Sequence, residues 1–412
     1  MSQSSHRVAV RGASLGFWIV GAVLAGVSCR GNDITQPAEP GTLADPKLAI
    51  TTAAGPALAF YQVSSGSFHT CAVGADGQAY CWGAAGSGQL GRGYEEDRLT
   101  PGAVLGGLRF RTIGAGDNGT CGLATDGRAY CWGNNASGQL GDGTTTYRTT
   151  PVPVLGGLRF RQLDRGEDYS CGLTEPDRRA YCWGDNRHGQ LGDGTKTNRP
   201  RPVRVLGGRV FRQVSVGGGH ACAVTPTYQT YCWGDNRFGQ LGDGTTVLMR
   251  SRPALVAGGR LFRQVDAGRV QTCAVTTGRR AFCWGDNFFG ELGDGTTISR
   301  SFRPRAVAGG LGFDRVSAGT VHTCGESNDR AYCWGDNSRG QLGDGTTIQR
   351  NRPVAVAGGL TFAQVSASVG GLHSCGKTAA GLGYCWGLNL AGALGDGTTA
   401  TRLRPVAVVG PT

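Results

Sequence analysis

No stretch of this chain keeps a 3.6-residue apolar period for three turns, and its 73 glycines weigh against helix. An α-helical fold is therefore excluded. No apolar run beyond residue 28 approaches the about 20 residues of a membrane-spanning helix, so the remainder is expected to be soluble. No nucleophile–base pair, phosphate loop or paired-carboxylate motif stands out, so no enzyme is expected and no cofactor is implied. A Cys-x-x-Cys knuckle is missing too, which argues against zinc. Lysine is scarce: Lys47, Lys196 and Lys377 are the only three, and almost all of the formal charge of +12 rests on arginine. Those arginines recur at matching positions, which reads as charge spread around a ring. That pattern differs from the one-sided stripe of a nucleic-acid binder, and nucleic acid is not an expected partner.

Cysteine, by contrast, is plentiful and orderly. Fourteen of fifteen fall into seven pairs: Cys71/Cys81, Cys121/Cys131, Cys171/Cys182, Cys222/Cys232, Cys273/Cys283, Cys324/Cys333 and Cys375/Cys385. The fifteenth, Cys29, ends a hydrophobic leader. Arg7 and Arg11 give that leader a positive start, and Leu15 to Val27 is its apolar core. Residues 1–28 read as an export signal. The exit Gly26-Val27-Ser28-Cys29 is similar to a bacterial lipobox, with Gly26 where leucine is usual. Lipid attachment at Cys29 is the favoured reading, with ordinary cleavage and an uncleaved anchor as the alternatives. Residues 29–56, with few large apolar groups, read as a flexible tether. The expected location is the bacterial cell envelope or outside the cell, with membrane contact only through the N-terminal anchor.

The step Trp-Gly recurs at Trp82, Trp132, Trp183, Trp233, Trp284, Trp334 and Trp386, at intervals of 50, 51, 50, 51, 50 and 52 residues. Within 350–386, Pro353 to Val356 reads as a strand and Phe362 to Ser366 as a second. His373-Ser374-Cys375 opens a third, and Gly383 to Trp386 forms a fourth. Short strands bounded by Gly and Asp turns indicate all-β structure. Four strands per unit, seven times, fit an all-β, seven-bladed β-propeller of antiparallel strands over residues 57–412. Ring closure should bring Arg404 to Val408 near the strand around Ala59 to Ser64. A monomer is expected.

The phrase from Trp233 to Thr245, Trp-Gly-Asp-Asn-x-x-Gly-Gln-Leu-Gly-Asp-Gly-Thr, resembles the repeat of the regulator-of-chromosome-condensation family. So does Val316 to Cys324, Val-Ser-Ala-Gly-x-x-His-Thr-Cys. The resemblance covers about 58–410 and implies a seven-bladed propeller. Founding members of the family act as nucleotide exchange factors for a small GTPase, and others resemble secreted inhibitors that cap β-lactamases with one propeller face. The family thus implies a fold and leaves function open.

Side chains alternate across a strand. Pairing Cys71 with Cys81 sets Val73 opposite Ala79 and puts Tyr80 and Trp82 on the other face. Opposed cysteines on antiparallel strands lie within disulfide reach. Intracellular relatives of the repeat also carry cysteine there, so buried thiols are the competing reading. The export leader favours seven cross-strand disulfides. His69, His220, His322 and His373 share one slot, which Gly119, Tyr169 and Gln271 fill in other units. Such gaps suit core hydrogen-bonders better than a metal ring. The Asp-Asn-x-x-Gly phrase lacks the distal Glu of a calcium loop and reads as backbone-bonding turn chemistry.

Function is expected where the repeat varies. The two residues inside Asp-Asn-x-x-Gly are Arg187-His188, Arg237-Phe238, Phe288-Phe289 and Ser338-Arg339 in four consecutive units. Arginine and aromatic side chains anchor protein interfaces. These eight residues are the candidate binding site, and its expected partner is a protein or glycan. The runner-up is an exchange-factor-like regulator of a small GTPase, as the family name suggests. A secreted inhibitor of the β-lactamase-capping type comes third.

Overall fold

Runs of four to seven alternating residues, each closed by a Gly- or Asp-rich turn, fold every repeat into a four-stranded meander. The structure, a computed structural model, describes residues 58–410. The expected leader over 1–28, tether over 29–56 and lipid site at Cys29 lie outside the described residues. In the first blade β1 (Phe60–Ser65), β2 (His69–Gly74), β3 (Ala79–Gly83) and β4 (Arg98–Ala103) pair antiparallel in that order. Six more sheets repeat the plan at 110–153, 160–204, 213–255, 262–306, 315–355 and 364–407. The result is the expected seven-bladed, four-stranded propeller.

The phase of the repeat differs from the sequence reading. The strand Arg350–Ala355 does not open the unit that ends at Trp386. It pairs with Arg330–Gly335 as the outer strand of the preceding blade. Its composition marks it as a strand, while the partner is set by the chain's path around the ring.

The cysteines sit directly opposite each other, Cys71 against Cys81 and Val73 against Ala79. The same register sets Cys121 against Cys131, Cys171 against Cys182 and Cys222 against Cys232. It also sets Cys273 against Cys283, Cys324 against Cys333 and Cys375 against Cys385. All seven pairs are bonded, with Cα atoms 4.0–4.2 Å apart. The longer Cys171–Cys182 and shorter Cys324–Cys333 spacings are taken up in the hairpin turn, and the two bonds keep the common geometry. These cysteines lie in the scaffold, buried between blades. Cys182, Cys232, Cys283 and Cys333 are fully buried on the third strands of their blades, as are their partners on the second.

The small Cys face of each blade receives the Trp face of the next. Cys71, Val73, Ala79 and Cys81 pack with Phe110 and Trp132 of blade two, and the pattern repeats around the ring to Cys375 and Cys385 with Phe60 and Trp82. Cys171 and Cys182 pack likewise with Phe211 and Trp233, Cys222 and Cys232 with Phe262 and Trp284, and Cys273 and Cys283 with Phe313 and Trp334. Cys324 and Cys333 meet Phe362 and Trp386. All seven repeat tryptophans are fully buried. At about 25 cal/mol per Å² and 150–250 Å² per aromatic, each supplies roughly 4 kcal/mol or more of burial energy. The Leu-Gly-Asp-Gly phrase explains itself here: a Cβ at Gly91 would stand 2.7 Å from the Trp132 ring nitrogen, and its φ is +69°.

The last blade meets the first by packing and by one isolated antiparallel bridge, Ala59 opposite Leu382, with no shared sheet. The Phe60 N–H donates to the Gly381 carbonyl at 2.7 Å. Val406 and Val408 join Phe60 and Val63 in one apolar cluster, so the two ends meet as expected. The inner strands line an axial channel of about 390 Å³. Among the described residues no helix is long and apolar enough to cross a membrane.

Candidate binding rim

The connections β1–β2 and β3–β4 leave from one end of each sheet, and β2–β3 and the link to the next blade from the other. The seven loops at this repeat position, four of which read Asp-Asn-x-x-Gly in full, are all β3–β4 connections and so share one rim. Their frame is local. Asn186 is buried, and its Nδ2 donates to Asp193 Oδ1 at 3.1 Å and to the Thr197 carbonyl at 3.1 Å, while its Oδ1 accepts the Leu191 N–H at 3.0 Å. Gln190 Oε1 accepts the His188 N–H at 2.9 Å, and its Nε2 donates to Asp185 Oδ2 at 2.8 Å. Asp193 is bonded in turn by Thr195 and Arg199. Burial raises the Asp193 pKa, but these bonds outweigh it and hold the carboxyl below its ordinary value. The Asn and Asp oxygens thus serve the turn, and the two intervening residues are carried at its tip.

Those tip residues are Arg187, Arg237, Phe238, Phe288, Ser338 and Arg339, all exposed, and His188 and Phe289, partly exposed. The Arg187 Nε donates to Asp185 at 2.9 Å and the Arg237 guanidinium grips Asp235 at 2.9 Å. Burial raises the Asp235 pKa, but Arg237 overrides it and keeps the carboxyl ionised below its ordinary value. Arg187, His188 and Arg237 line one cleft of about 230 Å³ with Asp168 and Arg269. Phe288 is 66% exposed and meets Phe289 edge-on, ring centres 4.9 Å apart. Ser338 Oγ is tied to Asp336 at 2.9 Å. The eight residues therefore share a rim, but only three share a cleft, and Ser338 and Arg339 line no part of it.

The histidine slot is structural. Each Nε2 meets a hydroxyl of the next blade: His69 with Thr120 at 2.9 Å, His220 with Thr272 at 2.7 Å, His322 with Ser374 at 2.9 Å and His373 with Thr70 at 3.0 Å. Sequence reasoning missed what happens at Gly119. The side chain of Arg165, from blade three, fills the space that histidine leaves, its Nη2 2.4 Å from where a Cβ at Gly119 would stand. Arg165 is buried and its Nη1 donates to the Gln139 carbonyl at 3.3 Å. The signal was available: Ala115, Ala267 and Ala318 occupy the matching slot, and arginine there is out of pattern.

A family model for the RCC1-like domain matches residues 113–411, and models of the regulator of chromosome condensation (RCC1) repeat match 76–123 and 60–89. The human E3 ubiquitin-protein ligase HERC2 is 27% identical over 242 residues, which is 57% of this chain and 5% of that protein. The ultraviolet-B receptor UVR8 of Arabidopsis thaliana is 31% identical over 246 residues, 58% of this chain and 44% of the receptor. The chain thus spans less than half the length of these curated relatives. Prp20p of Saccharomyces cerevisiae shares the fold at a TM-score of 0.71 and 19% identity, over 85% of this chain and 87% of that one. With seven blades built on one repeated phrase, and a family model spanning most of them, the chain belongs to the RCC1-like domain family.

Proposed function

We propose that this propeller is an exported, lipid-anchored binding module that holds a protein partner on its Asp-Asn-x-x-Gly rim. The observation that carries the reading is Phe288, two-thirds exposed at a loop tip beside Phe289. Burying such a ring in a partner gains free energy that its present position does not. Arg187 and Arg237, on the same rim in the two preceding blades and held in place by their own aspartates, add oriented donors for an acidic rim on the partner. Seven cysteine pairs support an oxidising compartment, and Cys29 is the proposed lipid site. The module is not proposed to be an enzyme.

The test is capture from the native envelope with the purified propeller. Phe288→Ala/Phe289→Ala should lower affinity by about 30-fold, equivalent to about 2 kcal/mol at an interface hot spot, with the melting temperature unchanged. Capture that survives the double change removes the rim from consideration. In the same cells Cys29→Ala should release the protein from membranes. A second reading, exchange on a small GTPase, draws on the likeness to Prp20p, described with its binding to Gsp1p and histones. Accelerated release of a labelled guanine nucleotide from a small GTPase would favour it.

A further inference from the structure

On the face opposite the rim, the inner strands begin at the mouth of the axial channel. The residue after the repeated phenylalanine lies there: Arg161 after Phe160, Arg212 after Phe211 and Arg263 after Phe262. With Arg315 of the next blade they line a depression of about 440 Å³, walled by Gln162, Gln213 and Gln264. Its one carboxylate, Asp314, is engaged by Arg279 at 2.8 Å and Arg263 at 3.6 Å. Arg161, Arg212 and Arg315 make no ion pair with any described residue; Arg212 lies over the Tyr228 ring at 4.7 Å. The arginines were expected to be spread around the ring. Many are, but these converge across adjacent blades because one slot repeats on the side where the blades come closest.

Gathering like charges at a concave, low-dielectric mouth costs free energy, offset in part by Asp314 beside Arg263, the Tyr228 ring under Arg212 and the Glu326 carboxyl near Arg315. A second departure occurs beside it. The hairpin-turn slot that holds Gly77, Gly127 and Gly381 on other blades carries Arg178, Tyr228 and Arg279 on blades three to five, at φ of 54°, 66° and 64°. Left-handed backbone suits glycine, and a larger residue there costs on the order of 1 kcal/mol. Arg178 and Tyr228 border a neighbouring depression of about 330 Å³ that also contains Arg161 and Arg212. Arg178 and Tyr228 border the same mouth and Arg279 holds Asp314 at its edge, while blade six fills the slot with Asp329 at a φ of 59°.

We propose that this mouth is a binding site for a compact polyanion carrying several phosphate or sulfate groups. Guanidinium forks match such oxygens two at a time. The glutamine wall is preorganised, since Gln162, Gln213 and Gln264 each clamp the next blade's backbone at 2.7–3.1 Å. The site lies on the face opposite the aromatic rim and does not depend on it.

The test is calorimetric titration of the purified propeller with inorganic tripolyphosphate at low salt. Saturable one-to-one binding that weakens as salt rises is expected. Arg161→Gln/Arg212→Gln should weaken it by at least about tenfold. Arg280→Gln/Arg330→Gln removes the same charge from the same face outside the mouth and should change affinity by less than about twofold. Unchanged melting temperatures would show that neither pair of changes disturbs the fold. A parallel arm uses vesicles of phosphatidylcholine and phosphatidylglycerol. Binding of both probes, lost together in the Arg161/Arg212 variant, would mean that the mouth also takes lipid-borne phosphate. No saturable binding of tripolyphosphate, equal losses in both double variants, or binding of vesicles alone would each overturn the proposal.

Discussion

The hydroxyl partners of the four buried histidines settle their tautomer. Thr120, Thr272, Ser374 and Thr70 each give their single proton to a backbone carbonyl, at 2.8, 2.8, 3.0 and 2.9 Å. They can therefore only accept from histidine, which must carry its proton on Nε2. Nδ1 of His69, His220 and His322 has no partner, so a second proton would be buried unsatisfied. Burial accordingly pushes His322 down to about 4. Below the unfolded value near 6.5 the unfolded chain binds a proton that the folded chain refuses, so this stability is present above pH 6.5 and is lost as pH falls toward 4. Blade five shows the remedy: Gln271 occupies the same slot and donates to the Gly319 carbonyl at 3.0 Å. His322→Gln should therefore gain about 2 kcal/mol relative to the parent between about pH 7.5 and pH 5. Urea unfolding at the two values checks it, and a constant difference would show that His322 is not held neutral. Glu291 has the opposite sign. Gln190 and Gln341 donate an amide proton to Asp185 and Asp336 in their own loops, at 2.8 and 2.7 Å. Glu291 must face Asp286 with a carboxyl, and burial, followed by Asp286, raises it to about 8. The folded state keeps a proton that the unfolded state releases near 4.5, so stability falls as pH rises from about 4.5 to 8. Glu291→Gln should stabilise by about 1 kcal/mol or more near pH 8 and little near pH 5, read from melting temperatures. Glu291 Oε2 also accepts the Phe289 N–H at 2.8 Å, so the same change should steady the aromatic tip.

Between blades, the inner strands are joined by side chains that imitate a backbone. Gln62 both donates to and accepts from Ile113, at 2.7 Å each, and Gln364 does the same for Val63 at 2.8 and 3.2 Å. Two residues further along, Ser64, Ser215, Ser317 and Ser366 accept an N–H of the next blade at 3.0–3.1 Å. Asp164 and Asp266 do so at 2.9 and 2.8 Å. Where Arg315 replaces the glutamine, Glu326 accepts the Val365 N–H at 2.6 Å instead. Only blade two, with Thr112 and Gly114, offers its neighbour neither clamp. Thr112→Gln should restore the joint and stabilise by about 1 kcal/mol, checked by denaturant titration and by slower amide exchange at Leu163, the residue of blade three that the new amide would meet. An unchanged exchange rate would mean that the slot is not at fault. The strands and their seven-fold count were legible in the sequence because the Cys-Trp hairpin is local and repeats without insertion. The phase of the blades was not, since the partner of Arg350–Ala355 is fixed by chain path. The rim was legible as variation inside a constant loop. Arg165 was not, because its meaning depends on Gly119, distant in sequence and across a blade boundary.

Among the described residues no disulfide joins one blade to another, so closure is held by packing, by these clamps and by scattered hydrogen bonds such as those of the histidines and tryptophans. Each sulfur pair is sealed by the next blade's tryptophan, and none can meet a reductant until two blades part. The joint after blade two should part first. It lacks the glutamine and serine clamps, and buried Arg165 leaves Nε and Nη2 without partners. Burial lowers the Arg165 pKa only to about 10, so it stays charged at neutral pH and its desolvation is poorly offset. Trp183, the tryptophan that covers this joint, is also the one whose Nε1 has no acceptor, while Trp132 and Trp233 on either side donate to Gln89 and Gln190 carbonyls at 2.9 and 2.8 Å. Cys121 and Cys131 lie beneath Trp183 and Phe160 in the same cluster. Under a mild reductant in urea below the unfolding midpoint, Cys121/Cys131 should therefore be the first pair to open. Quenching with an alkylating reagent at intervals and mapping the peptides by mass should show label on that pair before the twelve other paired cysteines. Label arriving evenly on all pairs would mean the ring opens only as a whole, and the seam after blade two has no special weakness.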